Sequence, residues 1–164
     1  YRVRLINAEI DIFFMFSIDN HTMEAIANDL VPIQPFNTSI VSIGIGQRYD
    51  VIIHADQSDT ADNFWIRAVP QTSCSSTNSM EHVILGIVYY GTSPSTPDTT
   101  GYNKTDSCDD ISSTDLVPYV SKTVDSAAIW AEEEPVTIGA APTNSNLLWW
   151  SVNGATLDMS WLNP

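Results

Sequence analysis

Basic residues are scarce in this sequence: six Lys and Arg stand against twenty Asp and Glu, a formal net charge of −14. Gripping a phosphate backbone needs a basic face, so nucleic-acid binding is excluded as a class. Long apolar runs are missing too, and none approaches the roughly 20 residues that cross a bilayer as a helix. No segment holds a 3.6-residue apolar period long enough to make a helix. Gly-X-Ser-X-Gly is absent, as is any glycine loop that would cradle a phosphate. There is no His-X-His pair. His21, His54 and His82 stand apart with no cysteine near them in sequence, whereas a transition-metal site needs three or four converging ligands.

What the sequence has is enough apolar material for one core. Its 164 residues are 43% hydrophobic and only 16% charged, a balance that argues against disorder and fits one domain spanning 1–164. Tyr1-Arg2-Val3-Arg4-Leu5-Ile6-Asn7 reads as the middle of a strand, and Trp161-Leu162-Asn163-Pro164 is equally abrupt. The chain is therefore expected to be a piece of a longer protein, and the missing leader says nothing about location. Two cysteines in polar surroundings, Cys74 and Cys108, occur together with Asn-X-Ser/Thr sequons at Asn20, Asn37 and Asn103. That combination points to a secreted protein and a disulfide.

Short strands follow one another over the first ninety residues. Phe13 to Ile18 meets the turn cluster Asp19-Asn20-His21-Thr22 and continues as Met23 to Ala27, a hairpin by residue type. Pro32 and Pro35 are expected to break the next stretch. Ile40–Ile45, Arg48–Ile53, Asn63–Ala68 and His82–Tyr90 read as further strands. Ser, Thr, Pro, Asp and Gly dominate residues 91–115, which are expected to form a long surface loop, in part mobile. Val117-Pro118 restarts order. Val136–Ile138 and Leu147–Val152 are the last expected strands, with a tight turn at Asn153-Gly154. Strands at this spacing indicate an antiparallel sandwich or barrel.

Taken singly, the candidate chemical groups are modest. His21, in a turn, is expected to be solvated or to support other groups rather than ligate. Glu132-Glu133-Glu134 and Asp109-Asp110 read as solvated charge runs. Glu9 and Asp11 lie where the chain leaves its first strand, a position where binding residues gather. Trp149, Trp150 and Trp161 are core residues or stacking platforms.

Larger runs carry more. Arg2 to Ala8, Phe16 to Met23, Ile26 to Pro32, Gly46 to Ile52 and Asp62 to Ala68, in that order, resemble the second cupredoxin domain of ascomycete fungal laccases, within the multicopper oxidase family. Val152-Asn153-Gly154 followed by Trp161 resembles the start of the join to the third domain, over about 153–164. The resemblance is weakest over 91–115. It implies an all-β, cupredoxin-like Greek-key sandwich or barrel with a long polar loop.

It also implies a function for the complete protein: oxidation of phenols or arylamines coupled to reduction of dioxygen to water, by four coppers. Their ligands, in His-X-His and His-Cys-His motifs, belong to the first and third domains. The middle domain would then bind no copper, be inactive alone, bridge its neighbours and form part of the substrate pocket. Asp11 matches the carboxylate that faces the phenol, where it would accept the phenolic proton. Trp150 matches the second residue of an aromatic pair lining the pocket, and Leu148 stands where an aromatic is often found. Cys74 and Cys108 match a disulfide of the ascomycete group. Nucleic acid and membrane are not expected partners. Other readings are an ascorbate oxidase or ferroxidase and, from a different class, a non-catalytic cupredoxin or immunoglobulin-like binding module. A His-X-His before Tyr1 and a His-Cys-His after Pro164 in the longer reading frame would separate them.

Overall fold

The structure is a computed structural model, and it describes residues 1–74, 84–123, 125, 136–141 and 144–156. The expected Glu132-Glu133-Glu134 run, His82 and Trp161 lie outside these residues. By contact the chain divides into two compact units, 1–121 and 122–164.

The first unit is an antiparallel sandwich of two four-stranded sheets. One sheet has the order β1-β6-β3-β4, built from β1 (Arg2–Ile6), β3 (Met23–Asn28), β4 (Val31–Thr38) and β6 (Arg48–Ile53). The other has the order β5-β2-β7-β8, from β2 (Phe14–Ile18), β5 (Val41–Ile43), β7 (Asn63–Pro70) and β8 (Leu85–Tyr89). Sequence neighbours β1 and β2 fall in different sheets, so the chain repeatedly crosses the core. Strand alternation decides which side chains enter it. In β6, Tyr49, Val51 and Ile53 are buried while Arg48, Asp50 and Ile52 are not. Those three meet Leu5, Ile18, Met23, Val41, Ile43 and Phe64 between the sheets. No helix occurs among the described residues.

Pro32 and Pro35 do not break their strand, contrary to the sequence expectation. β4 runs through both because it is the last strand of its sheet, where a missing N–H is tolerated. The pairing also slips between Ala25 and Ala27, which lie opposite Phe36 and Pro32 respectively, and so absorbs the intervening residues as a bulge. The β3–β4 turn consists of Asp29 and Leu30, both left-handed, at φ 44° and 71°. Two positive φ values are the geometry of a tight hairpin turn that normally takes Asn-Gly.

The loop over 91–115 is a strap tied down by side chains. Met15, Ser17, Arg67 and Val69 lie on the face of the second sheet turned away from the core, and the strap residues Tyr102, Lys104 and Asp106 close a cavity of about 300 Å³ over them. Under this cover Met15 and Ser17 are buried. Asn63 and Ser95 hydrogen-bond to each other twice. Farther on, Ile111 and Leu116 pack on the core. Gln34 N–H then donates to Val117 O, and Tyr119 N–H to Pro32 O, along the β4 edge.

The lock of the strap is a buried ion pair. Arg67 donates through Nε and Nη2 to the two oxygens of Asp19, both at 2.7 Å, and Asp19 is fully buried. Thr99 Oγ1 donates to Asp19 at 2.8 Å, Arg67 Nη2 reaches Thr99 O at 3.2 Å, and Tyr102 OH donates to His21 O at 2.9 Å. The bond to Asp19 holds Arg67 further above its ordinary pKa, and burial, helped by the charge of Asp19, raises that of Tyr102. Gly101 passes so close that a Cβ there would sit 2.7 Å from Arg67 Nε. The fork is pinned by Asp19 and cannot step aside. Gly101→Ala is therefore expected to destabilise the protein by roughly 1–3 kcal/mol, the usual cost of overpacking. The same change should cost little in an Arg67→Ala background, where the obstacle is gone. Thermal unfolding of the two single variants and the double variant measures that coupling.

The second unit contributes a hairpin of β9 (Val136–Ala141) and β10 (Asn144–Val152). Its register pairs Val136 with Val152, Ile138 with Trp150 and Ala140 with Leu148. Directly opposed residues share a face, so these three pairs make an apolar face over the regular part of the hairpin. On the other face Thr137 and Ser151 hydrogen-bond at 2.7 Å. Asn153 and Gly154 make the expected turn with positive φ, closed by a bridge from Val152 to Ala155.

Candidate functional site

Asp11 lies in the loop joining β1 to β2, at one end of the sandwich, and is exposed. The residue that shapes this loop is Asn7, which is buried. Its side-chain amide donates to Ile12 O at 2.7 Å and to Ile43 O at 3.1 Å, while its Oδ1 accepts from Glu9 N–H at 3.0 Å. Its backbone exchanges bonds with the β5–β6 turn, N–H to Gln47 O and C=O from Gly46 N–H. Asn7 and the buried Ile12 thus fix both feet of the loop, and Ile10 and Asp11 project between them.

The adjoining turns belong to the same end. Asp29 N–H donates to Arg48 O, and Arg48 N–H donates to Asp29 Oδ1. The same end displays apolar side chains: Ile10 is 92% exposed, Leu30 84% and Ile45 54%. A groove of about 470 Å³ runs along the foot of the loop, lined by Arg4, Ile6, Glu9, Phe14, Phe16 and Ala68 among others, with Asp11 outside its wall. Below, the hydroxyl of Tyr49 is buried without a hydrogen-bond partner. Burial, and then the charges of Asp110 and Asp29, push it well above the usual phenol range, so Tyr49 stays protonated and is no base.

Leu148 and Trp150 share the apolar face of the β9–β10 hairpin, 72% and 66% exposed. They belong to the second unit and Asp11 to the first. Trp149 points to the opposite face and is half-buried. Cys74 and Cys108 form a disulfide with a Cα separation of 5.9 Å, inside the range a disulfide spans. The three sequon residues, Asn20, Asn37 and Asn103, are all exposed, Asn20 at the tip of the β2–β3 turn with φ 63°.

His21 is not solvated, which removes one of its two expected readings. It is 1% exposed, packed edge-on against Phe64 with ring centroids 4.7 Å apart. Its Nδ1 lies 2.7 Å from Asp19 O and its Nε2 2.7 Å from Tyr90 OH. A carbonyl only accepts, so Nδ1 carries the proton, and Nε2 accepts from Tyr90, whose oxygen accepts Gln57 N–H. The turn-like residues around His21 gave no sign that two aromatic rings close over it. His54 is exposed, 3.9 Å from Glu24. Among the described residues no three His, Cys, Asp or Glu side chains converge as a metal site would require.

The residues that sequence reasoning overlooked are Asn7, Asp19 and Arg67. Arg67 is a charge inside an apolar strand, and Asn7 and Asp19 each directly follow one, which is the signal that could have marked them, since a buried polar group must find a partner.

Residues 1–93 match the family model described as multicopper oxidase. The chain is 41% identical to Laccase-2 of Botryotinia fuckeliana over 165 residues, covering 100% of this chain and 27% of that protein. The crystal structure of the laccase from Botrytis aclada superimposes with a TM-score of 0.81 at 40% identity, over 98% of this chain and 28% of the other. A multicopper oxidase that functions in iron import superimposes at 0.64 with 20% identity, a likeness of fold alone. The chain thus spans about a quarter of the length of the relatives it matches. The two sheets are a cupredoxin-like Greek-key sandwich, and the chain belongs to the multicopper oxidase family.

Proposed function

We propose that this chain is the middle domain of a secreted, three-domain laccase, and that it serves the reaction without holding copper. The observation that carries the reading is the match to laccases over the whole chain. Among the described residues both ring nitrogens of His21 are occupied, and His54 faces the carboxylate of Glu24. The coppers, four in the complete protein, would be held by the first and third domains. Copper there would supply the one-electron chemistry that links oxidation of a phenol or arylamine to reduction of dioxygen.

The role of this chain is structural and proximal to substrate. It bridges the outer domains and offers Asp11, Leu148 and Trp150 to the substrate pocket. Asp11 stands on a loop with fixed feet, at an end of the sandwich whose exposed apolar side chains favour cover by further protein or by an aromatic ring. The segment about 153–164 leads to the third domain. Exposed Asn20, Asn37 and Asn103 would carry glycans, which with the disulfide supports secretion.

Two measurements test the assignment. The complete protein should oxidise phenols and contain four coppers, with His-X-His before Tyr1 and His-Cys-His after Pro164 in its reading frame. Residues 1–164 expressed alone should retain no stoichiometric copper after dialysis and oxidise no phenol. One copper held tightly per chain by that piece, or flanking sequence without the ligand motifs, would overturn it.

A further inference from the structure

Each cysteine of the disulfide is preceded, two residues earlier, by a residue of one hydrogen-bonded clamp: Thr72 before Cys74, Asp106 before Cys108. Asp106 Oδ2 accepts from Thr72 N–H at 3.1 Å and also from the Thr72 hydroxyl. Its Oδ1 accepts from Ser73 N–H at 3.2 Å, and its carbonyl accepts from Ser73 Oγ at 3.2 Å. One residue on, Ser107 N–H donates to Oε1 of the buried Gln71 at 3.1 Å. Gln71 is itself held by its backbone N–H on Phe13 O and its amide on Val69 O. The contacts therefore run as a zipper from the end of β7 to the disulfide. None of them requires the sulfurs to be joined.

We infer that Asp106 is the positioning residue for the Cys74–Cys108 disulfide: its carboxylate seats 106–108 on 71–74 in the dithiol state, so that the bond closes from a preformed geometry and resists reduction. The Thr72 hydroxyl, foremost among its donors, holds Asp106 below its ordinary carboxylate pKa, so the clamp works as the anion.

The chemistry is thiol–disulfide exchange with a small oxidised disulfide such as glutathione disulfide. One cysteine thiolate attacks it and releases one glutathione thiol. The second cysteine thiolate then attacks the mixed disulfide and releases the other. Two protein thiols are oxidised and one disulfide is reduced to two thiols. The second step is intramolecular, and its equilibrium follows the effective concentration of one cysteine at the other. Across a sequence separation of 34 residues a loose chain makes that concentration low, and the clamp raises it. By linkage the disulfide strengthens the clamp by the same factor. The buried Asp19–Arg67–Thr99 lock holds the earlier part of the strap independently, so loss of the clamp leaves the sandwich folded.

The test uses the complete protein, equilibrated in glutathione redox buffers, alkylated, and read by mass for the peptides holding Cys74 and Cys108. Asp106→Asn should shift the equilibrium toward the dithiol by about tenfold, the effect of one charge-assisted hydrogen bond. Thr72→Val, which keeps the N–H and loses the hydroxyl, should shift it the same way by about threefold. Asp109→Asn removes an equal charge next to Cys108 without touching the clamp and should change nothing. An unshifted equilibrium in folded Asp106→Asn, or an equal shift in Asp109→Asn, overturns the inference. If Asp106→Asn fails to fold, Thr72→Val decides, and no shift there overturns it as well. Failure of the laccase reading would appear in copper content and oxidase activity, which this readout does not use.

Discussion

Arg67→Ala should lower the stability of this domain by roughly 3–5 kcal/mol, the usual consequence of stripping one partner from a buried ion pair. Asp19 is fully buried, and Arg67 supplies two of the three side-chain donors that reach its carboxylate. Without the guanidinium a charge remains inside the fold, and among the described residues the Thr99 hydroxyl is the side-chain donor left to it. The strap loses its lock in the same stroke, because Arg67 also binds Thr99 O. Arg2 makes the contrast. It pairs with Asp50 on the surface, its side chain 52% exposed, and Arg2→Ala should cost about 0–1 kcal/mol. Denaturant unfolding of the complete protein and protease cleavage within 95–110 measure both effects. A loss below about 1 kcal/mol for Arg67→Ala, with the strap still protected, would show that the pair is not the lock.

On the proposed laccase reading, Asp11→Asn in the complete protein is expected to reduce phenol turnover about 100-fold, the low end of general-base assistance, since water can also take the proton. The substitution keeps size and hydrogen bonding and removes only the basic oxygen. Loss of an electron makes a phenol strongly acidic, so a carboxylate at its hydroxyl eases the oxidation by accepting the proton in step. A substrate without an ionisable proton should be oxidised at the unchanged rate. Equal losses for both substrate kinds would reduce Asp11 to a pocket-shaping residue. The loop itself supplies a control. Asn7→Ala frees its two feet without touching the carboxylate and should impair both substrate kinds together.

The strands were legible one by one because alternation is local. Val3 and Leu5 of β1, and Tyr49, Val51 and Ile53 of β6, declare an inner face within six residues, and a pleated strand needs no more than that to choose its sides. The turn at Asn153-Gly154 was legible for the same reason, since positive φ is a preference of the residues themselves. Asp11 could be singled out by its place after the first strand, but not the means by which it is held there. Asn7 reads as an ordinary strand end until Ile43, 36 residues away, presents its carbonyl.

Tertiary structure decided what depends on partners distant in sequence. Pro32 and Pro35 stay within β4 because that strand became an edge, and strand order is a property of the whole sheet. His21 is buried because Phe64 and Tyr90 close on it from 43 and 69 residues further along. The composition of 91–115 is that of a solvated loop, yet Asp19, waiting 80 residues earlier, turns Thr99 into an anchor. Composition measures how a segment greets water, whereas burial depends on which unsatisfied donor or acceptor the fold brings against it.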